Sequence, residues 1–236
     1  MKNRILFCSF LLLSEIASAQ PQAIKGKSDY NFWLTLPNDS ILNNNPPIMI
    51  FLHGRSLSGS DLNLVRRYGV VKEIDKGRKF PAIVIAPQVP SGKSWDPKKI
   101  KNVLEYVQQN YKTDTNRVYV VGMSLGGYGT LHFAGAYPEI VTAAVALCGG
   151  GNPNDGCDLA QVPLWIQHGN RDTAVPLSES EKIVKAIRQC NGGDKLRFTV
   201  LEGADHGDLE KAFRTDEIYN WMFQYNKTVN QLIEKK

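Results

Sequence analysis

The sequence predicts a single α/β domain: a mostly parallel sheet with helices on both faces. Three observations predict it. Short β-rich apolar runs alternate with longer segments of helical period along most of the chain. The central runs are almost continuously apolar, as strands buried on both faces of a parallel sheet must be. Finally, 236 residues with 42% hydrophobic and 22% charged side chains suffice for one large core and do not resemble a disordered chain.

Taken in order, Lys2 and Arg4 precede an apolar run over residues 5–13 and then Ala17-Ser18-Ala19. That is the pattern of a secretory signal peptide over residues 1–19, leaving residues 20–236 as the folded domain, exported and free of the membrane after cleavage. The run is too short to span a bilayer. Strands are expected at 30–36, 48–53, 80–86, 118–122, 143–148, 164–168 and 196–201. Helices are expected at 100–110, where Ile100, Val103, Leu104 and Val107 share a face, and at 124–136, 178–189 and 209–225. The Asn- and Pro-rich segment 38–47 reads as a turn. A formal net charge of +5, spread over short clusters such as Arg66-Arg67 and Lys98-Lys99-Ile100-Lys101, is too dilute for the basic stripe of a nucleic-acid binder.

In an alternating fold of this kind, ligands collect at the carboxyl ends of the strands. One such end carries Gly122-Met123-Ser124-Leu125-Gly126, where a buried strand runs straight into a helix. A sharp turn there lifts a serine hydroxyl off the sheet, small neighbours avoid clashes, and helix-start amides are left to face developing negative charge. The hydroxyl needs a base, and the base needs an orienting carboxylate. Of the four histidines, His53 and His168 end strands and His132 lies on the helix after the serine, all positions with ready structural roles. His206 alone sits in a loop after a late strand. Asp172 follows the 164–168 strand at the same edge; Asp155 and Asp158 are rival acids. The chain order Ser124, Asp172, His206 is that of one known arrangement of the triad and not of the chymotrypsin or subtilisin orders. Backbone amides of Arg55, after the strand ending His53-Gly54, and of Leu125 complete an oxyanion hole in this reading.

The segments FLHGRSLSGSD, VYVVGMSLGGYGT, ALCGGG, VPLWIQHGNRDTAVPLSES and GADH resemble the lid-less secreted esterase branch of the α/β-hydrolase superfamily. That branch holds feruloyl and acetyl-xylan esterases, carboxylesterases, and polyhydroxybutyrate depolymerase-like and prolyl-oligopeptidase-like proteins. The resemblance implies a single-domain α/β-hydrolase fold without a lid domain. It also implies serine ester hydrolysis through Ser124, Asp172 and His206, with no metal or organic cofactor. The tryptophan that follows the histidine in many members is replaced here by Gly207-Asp208-Leu209. An open site suits short acyl groups or acyl decorations on a polysaccharide, with Trp95 as a candidate wall of the substrate pocket. A peptidase using the same triad, or a non-catalytic binding protein on the same scaffold, are the alternatives. Among the cysteines, Cys157 and Cys190 lie toward the sheet edge opposite the site and are the favoured disulfide. Cys148 is then left as a buried thiol, and no cysteine spacing suggests a metal site.

Overall fold

The computed structural model describes residues 20–190 and 193–227; the signal-peptide reading of residues 1–19 lies outside them. Eight strands form one sheet: β1 (Gln22–Ile24), β2 (Phe32–Thr35), β3 (Ile48–Leu52), β4 (Ile83–Pro87), β5 (Val118–Met123), β6 (Ala143–Leu147), β7 (Leu164–Gly169) and β8 (Leu196–Leu201). Their spatial order is β1-β2-β4-β3-β5-β6-β7-β8. β1 and β2 pair antiparallel, β2 pairs antiparallel with β4, and all later pairs are parallel. Every residue of β3 to β7 is buried, which explains their near-continuous apolar sequence.

The helices are α1 (Asp39–Leu42), α2 (Val70–Asp75), α3 (Pro97–Asn110), α4 (Leu125–Ala136), α5 (Gly156–Leu159), α6 (Leu177–Gln189) and α7 (Glu217–Phe223). They cover two apolar clusters, one on each face of the sheet. Phe32, Ile50, Val120 and Ile166 lie in one, and Phe51, Val121, Trp165 and Phe213 in the other. Strand residues of alternate parity feed opposite clusters, as the period of two requires. The start of α3 is set by Asp96, whose carboxylate accepts from the amides of Lys98 (2.9 Å) and Lys99 (3.4 Å), with Pro97 opening the first turn.

Two sequence expectations need correction. The helix expected over 209–225 is two pieces, a 3₁₀ stretch Gly207–Arg214 and then α7, separated at Thr215 and Asp216. The break is held from far along the chain: the Arg78 guanidinium donates to the Arg214 carbonyl (2.7 Å) and pairs with Asp216. The segment expected as a turn at 38–47 contains α1, capped by the Asn38 side chain accepting from Ile41 N. Strand β1 and helix α2 had no counterpart in the sequence reading.

A disulfide joins Cys157 on α5 to Cys190 at the end of α6, and Cys148 is a buried free thiol. Among the described residues no helix is long and apolar enough to cross a membrane.

Candidate active site

Parallel strands deliver their carboxyl ends to one edge, and five of them carry the site. β5 ends at Met123 and the chain turns at Ser124 with φ +59°, a left-handed conformation rare for a side chain with a Cβ, before α4 begins. The turn is tight because α4 presses on the sheet: at Gly126 a methyl group would collide with the Leu52 carbonyl oxygen of β3. The strained serine and the close glycine are two aspects of one packing contact, and together they hold the hydroxyl clear of the sheet.

Asp172 lies in the loop after β7 with its side chain fully buried. Its Oδ1 accepts from the amides of Ala174 (2.9 Å) and Val175 (2.8 Å), so the loop folds around the carboxylate. Its Oδ2 lies 2.6 Å from Nδ1 of His206, in the loop after β8. With Nδ1–H donated to the carboxylate, the other imidazole nitrogen is left for the cavity that His206 lines together with Ser124. No hydrogen bond joins Ser124 Oγ to His206 among the described residues. In ligand-free hydrolases that contact is commonly long and closes with substrate. Asp155 and Asp158 make no contact with His206; Asp155 instead faces Asn152.

The opposite side is built on Gly54. His53, ending β3, donates from Nδ1 to the Gly54 carbonyl (2.7 Å), and its Nε2 accepts from Val89 N (3.2 Å). Burial holds this imidazole neutral, its pKa lowered to about 4. The Gly54 amide in turn donates to the Tyr68 hydroxyl (3.0 Å). The two peptides flanking the Gly54 Cα are thereby each held by a side chain, and the next residue, Arg55, opens a 3₁₀ turn while Leu125 opens α4. Being first in their helices, the two amides have no carbonyl partner within them.

The cavity measures about 1070 Å³. Its lining includes the rings of Trp95, Tyr128 and His132 and the polar side chains of Arg55, Tyr68, Lys72 and Glu210. Trp95 is almost wholly buried, donates from Nε1 to the His53 carbonyl (3.2 Å) and stacks edge-on with Tyr30 and His53. It therefore props the end of β3 and also lines the cavity. His132 stands on the cavity wall beside Tyr128 and not in a packed interior. Tyr68, Lys72 and Glu210 escaped sequence reading; their only common signal is proximity in sequence to Gly54 or His206, which does not indicate side-chain direction.

One group of side chains has the composition of a metal site: ligand atoms of Cys148, Asp172 and His206 lie within 4.8 Å of one another. The carboxylate of that group is already committed, since Asp172 serves His206 and two amides, and burial pushes the Cys148 thiol up to about 12.

Residues 75–232 match the sequence profile of the dienelactone hydrolase family. The chain belongs to that family. The wider relationship is to the α/β-hydrolase superfamily, and it extends beyond the dienelactone hydrolase profile. A bifunctional acetylxylan esterase/xylanase of Neocallimastix patriciarum is 29% identical over 61% of this chain, which spans only 22% of that relative. A probable acetylxylan esterase A of Aspergillus clavatus is 28% identical over 96% of the chain and 78% of its own length. Among solved structures, a thermostable esterase superposes with a TM-score of 0.72 at 26% identity, covering 89% of this chain and 64% of that one.

Proposed function

We propose that this member of the dienelactone hydrolase family is a secreted serine carboxylic-ester hydrolase. It acts through an acyl-enzyme on short-chain or carbohydrate-linked esters of the acetyl or feruloyl type. The observation that carries the reading is the 2.6 Å contact between Asp172 Oδ2 and His206 Nδ1, on a histidine that shares a cavity with the strained Ser124. In this mechanism His206 Nε2 removes the Ser124 proton as Oγ attacks the ester carbonyl, and Asp172 holds the tautomer that leaves Nε2 free. The oxyanion meets the Arg55 and Leu125 amides. The alcohol departs with the proton from His206, and a water deprotonated by the same nitrogen then releases the acid and restores Ser124. The kinship with acetylxylan esterases supports acyl groups on a polysaccharide, and the Trp95 and Tyr128 rings in the cavity lining offer apolar surface to the acyl group. Export would follow from a signal peptide at residues 1–19.

The test is turnover of p-nitrophenyl acetate, butyrate and octanoate, methyl ferulate and acetylated xylan by the wild type and by Ser124→Ala. The expected result is hydrolysis of the acetyl or feruloyl substrates and a loss exceeding about 10³-fold in the variant. Comparable turnover by Ser124→Ala, or no labelling of Ser124 by a fluorophosphonate, sinks the proposal. Cleavage of chromogenic peptides at rates matching those of the esters would favour the peptidase instead.

A further inference from the structure

His168 ends β7 behind Asp172, is fully buried and does not line the cavity. Its Nδ1 lies 2.7 Å from Ser180 Oγ on α6, and its Nε2 lies 2.9 Å from the Val175 carbonyl oxygen and 3.4 Å from Asp172 Oδ2. Ser180 Oγ also lies 2.7 Å from the Gly149 carbonyl oxygen. Protons can be placed on these contacts in one satisfactory way. A carbonyl oxygen only accepts, so the single hydroxyl proton of Ser180 goes to Gly149. Ser180 then offers a lone pair to Nδ1, which must donate. Val175 likewise accepts from Nε2, which must also donate. Either neutral tautomer would set two lone pairs against each other at under 3 Å, in a spot where the His168 and Asp172 side chains have no exposure to water.

We infer that His168 carries a proton on both ring nitrogens and is a buried counter-cation of Asp172, positioning the carboxylate and tuning His206 across it. Asp172 is the only carboxylate in contact with the ring among the described residues. The other titratable groups near this corner are His206, beyond Asp172 in the loop after β8, the Cys148 thiol after β6, and Glu179 on α6. Glu179 is engaged by Lys182 and Tyr128. Arg171 on the same loop is exposed. A positive charge on the far side of Asp172 opposes protonation of His206, so His206 remains a base to lower pH than it would beside a neutral neighbour. The proton count of His168 is independent of the ester chemistry; only its effect on His206 rests on that reading.

Nitrogen-15 NMR of the imidazoles in the full chain tests the inference, with His53 as the neutral reference in the same spectrum. At about pH 7.5, His168 is expected to show two protonated nitrogens and His53 one protonated and one bare. A bare nitrogen on His168 overturns the inference. In His168→Gln, the acid limb of the kcat/KM profile is expected to move up by about one pH unit. Ser180→Ala, which removes the Nδ1 acceptor, serves the same purpose if the Gln variant does not fold. An unmoved limb refutes the tuning of His206. Failure of the wild type to label at Ser124 would refute the esterase reading instead and leave the NMR result standing.

Discussion

His53 and His168 occupy similar places: one directly follows β3 and the other is the penultimate residue of β7, and each is buried and followed by glycine at the carboxyl edge of the sheet. Their hydrogen bonds are opposite. His53 accepts at Nε2 from the Val89 amide and donates at Nδ1, so it is satisfied as a neutral ring. His168 faces a carbonyl at Nε2 and, at Nδ1, a serine whose proton is already committed. The same dipeptide in similar fold positions thus holds the Gly54–Arg55 loop at one corner without charge and, as inferred above, supports the Asp172 loop at the other with charge. The sequence around each histidine fixes where it lies; the groups brought by distant segments decide its protons.

The largest expected effect lies at the charged corner. Asp172→Asn removes the partner of both His206 and His168 and is expected to lower kcat about 10⁴-fold, because the amide favours the wrong His206 tautomer. Retention of more than a tenth of wild-type kcat would break the distinction between the corners.

The neutral corner should show itself in stability. His53 is held at about 4 against 6.5 in the unfolded chain, so between those values the unfolded state binds more protons. Stability is therefore complete above about pH 6.5 and lost as pH falls toward 4, by about 3 kcal/mol. Urea unfolding across that window should show the slope in the wild type and a flatter one in His53→Gln; equal slopes would argue that His53 is not the group responsible. The smallest effect belongs to Tyr68→Phe, which takes the acceptor from the Gly54 amide and loosens the loop presenting Arg55. About a tenfold fall in kcat with KM little changed is expected, since the proposed Arg55 and Leu125 hole would act on the transition state.

Much of this arrangement was legible from the chain. The parallel strands announce themselves by unbroken apolar runs, and Ser124 by a glycine-flanked turn between a strand and a helix. Asp172 and His206 are found where their positions after later strands suggest, in loops at the same edge and in contact. What was not legible depends on long-range contacts. The break between Gly207–Arg214 and α7 is fixed by Arg78, 136 residues from the carbonyl it binds, while the apolar spacing of Leu209, Phe213, Ile218 and Met222 suits an unbroken helix equally well. Strand β1 has three residues, largely exposed, and exists only through its pairing with β2. Trp95 follows a strand at the same edge and does line the cavity, but the sequence gives no sign that its indole N–H is committed to the His53 carbonyl.

One apolar contact ties the two corners mechanically. Phe51 lies two residues before His53, and its ring meets Phe213 edge to face at 5.3 Å, in the stretch that His206 begins. Gly69, next to Tyr68, has φ +77° and lies flat against the same Phe51 ring, where any side chain would clash. His206, Tyr68 and the Gly54–Arg55 loop are thus all registered against a single phenyl ring. Warming that loosens this ring would let all three drift together, so catalysis should fade as one step, ahead of the collapse of the sheet itself.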